Sequence, residues 1–150
     1  MTLDERAGNL MAVEEFRNMP AQARAALAAA MREEFFARGE TVIAAGEPAD
    51  RVFILCGGSL EVARAGAVGA TRGLTRGALL GELAFFAGDV RTATVRATSD
   101  SVALSLPYEK FRAFLLSYPE SALILAARIV TTLRSVEAEL ADALNGGRRS

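Results

Sequence analysis

Between Glu34 and Leu106 short runs of branched and aromatic residues alternate with glycine-bearing turns, and no other feature constrains the fold of this chain as much. The runs are EFFA, ETVIAA, RVFILC, SLEVAR, ATRGLT, TATVRAT and SVALSL, punctuated by Gly39, Gly46, Gly58, Gly66, Gly69, Gly73 and Gly77. Short segments rich in Val, Ile, Phe and Thr, bounded by turn residues, read as strands. Strands at this density suggest a sandwich or a double-sheet jelly roll, and the expected architecture is an antiparallel β-roll. The turn GEPAD, residues 46–50, carries the Gly-Pro-Asp chemistry of a tight reversal.

Helical patterning flanks the roll. Residues 1–33 form an N-terminal helical part: Pro20 stands where a helix opens, and AQARAALAAAMREE brings Ala23, Leu27 and Met31 to helical spacing. Residues 1–10 show no clear pattern. Residues 107–144 are expected to hold two C-terminal helices. The first is YEKFRAFLLSY, and Pro119 opens a longer one that Asn145-Gly146-Gly147 would stop. Along it Ala126, Leu133 and Leu140 alternate with Ile129, Val136 and Ala143, while Leu123, Ala127 and Val130 mark a neighbouring face. The class is therefore α+β, with residues 1–150 as one domain whose roll spans 34–106.

Composition removes most catalytic classes. Histidine is absent, so there is no imidazole base for a Ser or Cys nucleophile and no His set for zinc, copper or iron. Lys110 is the single lysine and no GxxxxGK[ST] motif occurs, which excludes P-loop chemistry. An enzyme is not expected, and neither is a cofactor or metal. The net charge of −1 provides no field for a nucleic-acid polymer, and no apolar run is long enough for membrane insertion. Cys56 is the only cysteine, which fits a reducing cytoplasmic setting.

The segment GELAFFAGDVRTATV, residues 81–95, holds the chemistry that remains. Gly81 lets a ligand approach the backbone without a Cβ in the way. Residues 82–87 can form a helical turn whose first N–H groups lack internal partners and would meet an anion. Arg91 offers a planar fork to two phosphate oxygens, and Thr92 adds a hydroxyl. Glu82 would repel a phosphate, but a carboxylate can accept a hydrogen bond from a sugar hydroxyl. One arginine balances the single charge of a cyclic phosphodiester, whereas a triphosphate would ask for more.

Gly81-Glu82-Leu83-Ala84, followed after six residues by Arg91-Thr92-Ala93, resembles the phosphate-binding cassette of cyclic nucleotide-binding domains. These domains occur in catabolite-activator-type regulators, cyclic nucleotide-gated channels and cyclic nucleotide-dependent kinases. The resemblance extends upstream through Gly39-Glu40, Gly46-Glu47-Pro48-Ala49-Asp50 and Ile54-Leu55 to Gly58-Ser59, and runs from about Phe16 to Leu140. It implies cAMP or cGMP as ligand, bound by a cassette over 81–93. In that cassette Glu82 would hold the ribose 2′-OH, Arg91 the cyclic phosphate, and Thr92 the phosphate or a guanine edge. Backbone N–H groups at Leu83 and Ala84 would face the phosphate. Val90 departs from the frequent proline before the arginine, at no cost in contacts. The final helix would act as a lid over the base, with Thr132 and Ser135 as lid candidates.

Plainer roles compete at several positions. Cys56 reads as a small buried apolar residue, Gly46 and Gly58 as turn and close-packing residues, and Phe85 and Phe86 as core or as a cap on the pocket. The stripe on the last helix either packs on the roll or, as the resemblance implies, pairs two copies as a homodimer through residues 120–144. A cupin-like enzyme would need metal-binding histidines. The serious rivals are an interaction module of the same fold that binds no nucleotide, and a regulatory piece excised from a transcription factor or channel. Only NGGRRS follows the last helix, so the chain is expected either to stand alone or to act through an unknown effector protein.

Overall fold

The computed structural model describes residues 1–64, 71–87 and 93–147. Three helices lead: α1 (Leu3–Met11), α2 (Glu14–Arg17) and α3 (Ala21–Ala30). Helix α1 occupies the stretch that had shown no pattern. Thr2 caps it, its hydroxyl accepting the Glu5 N–H at 3.1 Å, with Asp4 and Glu5 in the first turn and Leu10 buried. Pro20 stands at the N-cap of α3, and that helix stops at Ala30 rather than running on through Glu34. Met31 is already extended, and the next residues pair into a sheet. Arg6 donates to the carbonyls of Ala28 and Met31, satisfying this helix end with a side chain.

The strands are β1 (Arg32–Phe36), β2 (Thr41–Ile43), β3 (Arg51–Gly57), β4 (Leu60–Arg64), β5 (Thr71–Leu74), β6 (Leu79–Leu80), β7 (Ala93–Ala97) and β8 (Ser101–Pro107). They form two four-stranded antiparallel sheets, ordered β1-β8-β3-β6 and β2-β7-β4-β5. Phe36, Phe53, Leu55 and Ala103 of the first sheet meet Ile43, Leu60, Val95 and Ala97 of the second in the roll interior. The opposite face of the first sheet offers Val52, Ile54, Leu104 and Leu106 to the helices, where they join Leu10, Phe16, Leu27, Phe111 and Leu125. Burial on both faces explains why RVFILC and SVALSL read as largely apolar runs rather than alternating ones.

Between β6 and β7 lies α4 (Glu82–Ala87); after β8 come α5 (Tyr108–Ser117) and α6 (Pro119–Gly147). Helix α6 runs through Gly147, past the expected stop near Leu144. Gly58 is held by its surroundings: its φ is +86° and a Cβ there would lie 2.3 Å from the Ser101 hydroxyl. Cys56 sits buried in β3 as a free thiol, and burial pushes its pKa up to about 11. Among the described residues no single helix is long and apolar enough to cross a membrane.

Candidate functional site

The described part of the cassette is built on the sheet and braced from behind. Leu79 and Leu80 of β6 pair with Ile54 and Phe53 of β3, and the chain then turns sharply at Gly81, whose φ is +88°. Only glycine takes that conformation without strain. The turn delivers Glu82 to the first position of α4, and the Gly81 carbonyl accepts the N–H of Phe85 at 3.3 Å. It also accepts the Tyr108 hydroxyl at 2.6 Å, tying the turn to the start of α5.

Phe85 resolves one of the two aromatic questions. Its ring packs edge-on against Tyr108 and Phe111, with centroids 5.2 and 4.9 Å away, so it anchors α4 to the helical core. Phe86 and Leu83 are exposed beside it. The cassette helix is therefore held by one face, and its other face is open to solvent.

In front of this turn lies a cavity of about 140 Å³. Gly81, Glu82, Leu83, Ala84 and Ala93 of the expected set all line it. Ile43, Val62, Leu80 and Val95 make an apolar floor, and Arg72 of β5 lines it as well. Among the described lining residues Glu82 and Arg72 are the charged ones, one of each sign. Across the chain, Thr94 fixes the exit of the cassette: its hydroxyl accepts the Ala45 N–H at 3.1 Å, and Ala93 pairs with Arg64.

Arg91 and Thr92 lie outside the described residues. Thr132 and Ser135 fall on α6, but their side chains are likewise outside the described set, and no described α6 residue lines the cavity. Arg72 was missed in the sequence because ATRGLT signals a strand without saying which face meets a ligand. The floor residues were equally hidden, although Val62 and Val95 sit directly opposite each other in the β4–β7 register.

A second hollow, of about 200 Å³, lies beneath the 46–50 turn and shares Ile43 with the first. Two of its charged lining residues, Asp50 and Arg51, pair with each other. Arg51 donates to both Glu34 carboxylate oxygens at 2.9 and 3.1 Å and to Asp50 at 2.9 Å, and stacks 4.6 Å above Phe53. Burial alone would raise the Glu34 pKa, but the hydrogen bonds from Arg51 and Ser105 and the positive charge of Arg51 hold it below its usual value. This ion cluster clamps β1 to β3 at one end of the roll.

Residues 33–118 match the sequence model of the cyclic nucleotide-binding domain. A CRP-like cAMP-activated global transcriptional regulator of Mycobacterium tuberculosis is 30% identical over 130 residues, covering 85% of this chain and 58% of the regulator. The cGMP-dependent protein kinase egl-4 of Caenorhabditis briggsae is 46% identical over 63 residues, 41% of this chain and 8% of the kinase. Among solved structures, cAMP-bound PfPKA-R superposes with a TM-score of 0.77 at 28% identity, over 91% of this chain and 48% of that one. The chain thus spans less than two thirds of the length of these proteins. With the roll, the glycine turn and the acid-bearing cassette helix in place, this chain belongs to the cyclic nucleotide-binding domain family.

Proposed function

We propose that the chain is a non-catalytic sensor of cAMP or cGMP, which binds in the cavity before α4 and answers by closing α6 over the base. The observation that carries this reading is the Gly81 turn. It brings Glu82, Leu83 and Ala84 to the wall of an apolar-floored cavity, which supports a cassette whose leading N–H groups meet the phosphate. Glu82 accepts the ribose 2′-OH and Arg91 takes the cyclic phosphate, with Thr92 beside it.

The cavity is smaller than the roughly 300 Å³ at the low end of drug-sized ligand sites. Part of a nucleotide would stand proud of the roll, and that part is what a closing helix covers; Thr132 and Ser135 remain the lid candidates. Arg72 gives the site a fork of donors suited to the O6 and N7 acceptors of guanine, which supports cGMP as a competent ligand beside cAMP. The exposure of Leu123, Val130, Leu140 and Leu144 on α6 supports a homodimer through the 120–144 helix.

A thermal-shift panel with cAMP, cGMP and the linear 5′-monophosphates tests the reading. A ligand at a hundred times its dissociation constant should add about 2.7 kcal/mol of stability, raising Tm by about 5–10 °C. No shift with either cyclic nucleotide would refute the sensor and favour an interaction module of the same fold.

A further inference from the structure

Helix α6 is rooted in the core and then leaves it. Ser121 and Leu125 are buried, Leu125 within the cluster shared by the helices and the first sheet. Beyond Ile129 every α6 residue whose side chain is described is exposed. At the point of departure Arg128 reaches back to α2, its guanidinium 3.0 Å from Glu14 Oε2 and 3.8 Å from Glu15 Oε1. The helix therefore leans on α2 and α5, and none of its described residues borders the cavity.

We propose that Arg128 with Glu14 and Glu15 forms an electrostatic latch that holds α6 back on the N-terminal helices and thereby sets nucleotide affinity. The inference rests on the preceding reading, in which α6 closes over the bound ligand. From Leu125 to Gly147 the helix is about 33 Å long at 1.5 Å per residue. A swing of about 10° at its root then moves the tip by about 6 Å. A weak interaction placed at the pivot governs a large displacement, because the described side chains of the distal half are exposed and contribute little packing to oppose it.

The strength of the latch suits a switch. Exposed ion pairs bias an equilibrium by about two- to five-fold, which a ligand binding both cassette and lid can overcome. While the latched form dominates, apparent affinity is reduced by the fraction of molecules that are competent to close. Unlatching removes that penalty without touching any residue of the cavity.

The test uses the full chain with spin labels at Thr41→Cys on β2 and Glu137→Cys on α6, both exposed positions. Cys56 is buried with a raised pKa and stays unlabelled. Distances between the labels are read by electron spin resonance without nucleotide and with saturating cAMP or cGMP, alongside the dissociation constants. In Glu14→Gln/Glu15→Gln and in Arg128→Gln, the nucleotide-free distribution should gain population at the nucleotide-bound distance, and affinity should rise about two- to five-fold. Combining Arg128→Glu with Glu14→Arg and Glu15→Arg should restore both values. Raising ionic strength should shift the wild-type distribution and leave that of the Gln variants unmoved.

Unchanged distances and affinity in the Gln variants, with nucleotide bound normally, overturn the latch and leave the sensor reading standing. Absence of any cyclic nucleotide binding to the wild type overturns the sensor and, with it, the latch's control of affinity.

Discussion

The cassette helix and the proposed lid helix are fastened in opposite ways. Helix α4 is six residues long, yet Phe85 locks it against Tyr108 and Phe111, and the Tyr108 hydroxyl holds the turn from which it starts. Helix α6 has 29 residues, with Leu125 at 1% exposure near its root but Leu140 and Leu144 at 60% and 61% toward its end. Contact with the double-faced first sheet and its helices, not length, separates the two. In the proposed sensor, binding geometry would lie where packing is dense, and movement where the described side chains are exposed. That division matches what a sensor needs, because donors must be preorganised while a reporter must have two positions close in free energy.

Changes on the packed side should be the most damaging. Phe111→Ala empties a fully buried site under Phe85 and should cost about 3–5 kcal/mol of stability by denaturant unfolding. A loss below about 1 kcal/mol would mean that α4 is not held from behind. Tyr108→Phe keeps the ring contact and removes the hydroxyl that donates to the Gly81 carbonyl, so about 1 kcal/mol should be lost. Nucleotide affinity should fall with it if the turn orients the cassette.

The smallest effect on stability belongs to the unpacked side. Leu140→Ser with Leu144→Ser should change the unfolding free energy of the monomer, measured at a concentration where no dimer forms, by no more than about 0.5 kcal/mol. Light scattering should nevertheless report a smaller particle than the wild type, if the exposed stripe joins two copies. A large destabilisation of a monomeric wild type would instead mean that the distal half packs on its own domain.

The roll was legible because its two buried-both-sides strands, β3 and β8, wrote largely apolar runs into the sequence, broken in β8 only by the buried Ser101 and Ser105, and glycines marked the turns between strands. The cassette was legible for a different reason: Gly81-Glu82-Leu83-Ala84 alone reads as a generic anion loop, and its spacing to Arg91-Thr92-Ala93 and to the upstream glycine motifs carried the resemblance. Other features depended on partners distant in the chain. Met31 looks helical from its neighbours, yet the residues after it pair with β8, and tertiary pairing overrode local propensity. Helix α1 carries a local signal that does not depend on apolar periodicity, Thr2 with Glu5 three residues on, a capping pattern at the start of the helix. Leu79–Leu80 was too short to register as a strand, although it aims the cassette. Arg72 and the apolar floor became visible only once β2, β4, β5, β6 and β7 were assembled around the cavity. No local pattern reports that Arg128 would meet Glu14.

The central claim, one cyclic phosphate and one ribose held at the 81–93 cassette, is tested most directly by calorimetric titration of cAMP and cGMP into the wild type and into Arg91→Ala. Saturable binding by the wild type is expected, with the variant weakened by about 2–5 kcal/mol, because a buried phosphate loses its charged partner. Equal affinity in the two proteins, or no binding heat from either cyclic nucleotide at any temperature tried, would contradict the account.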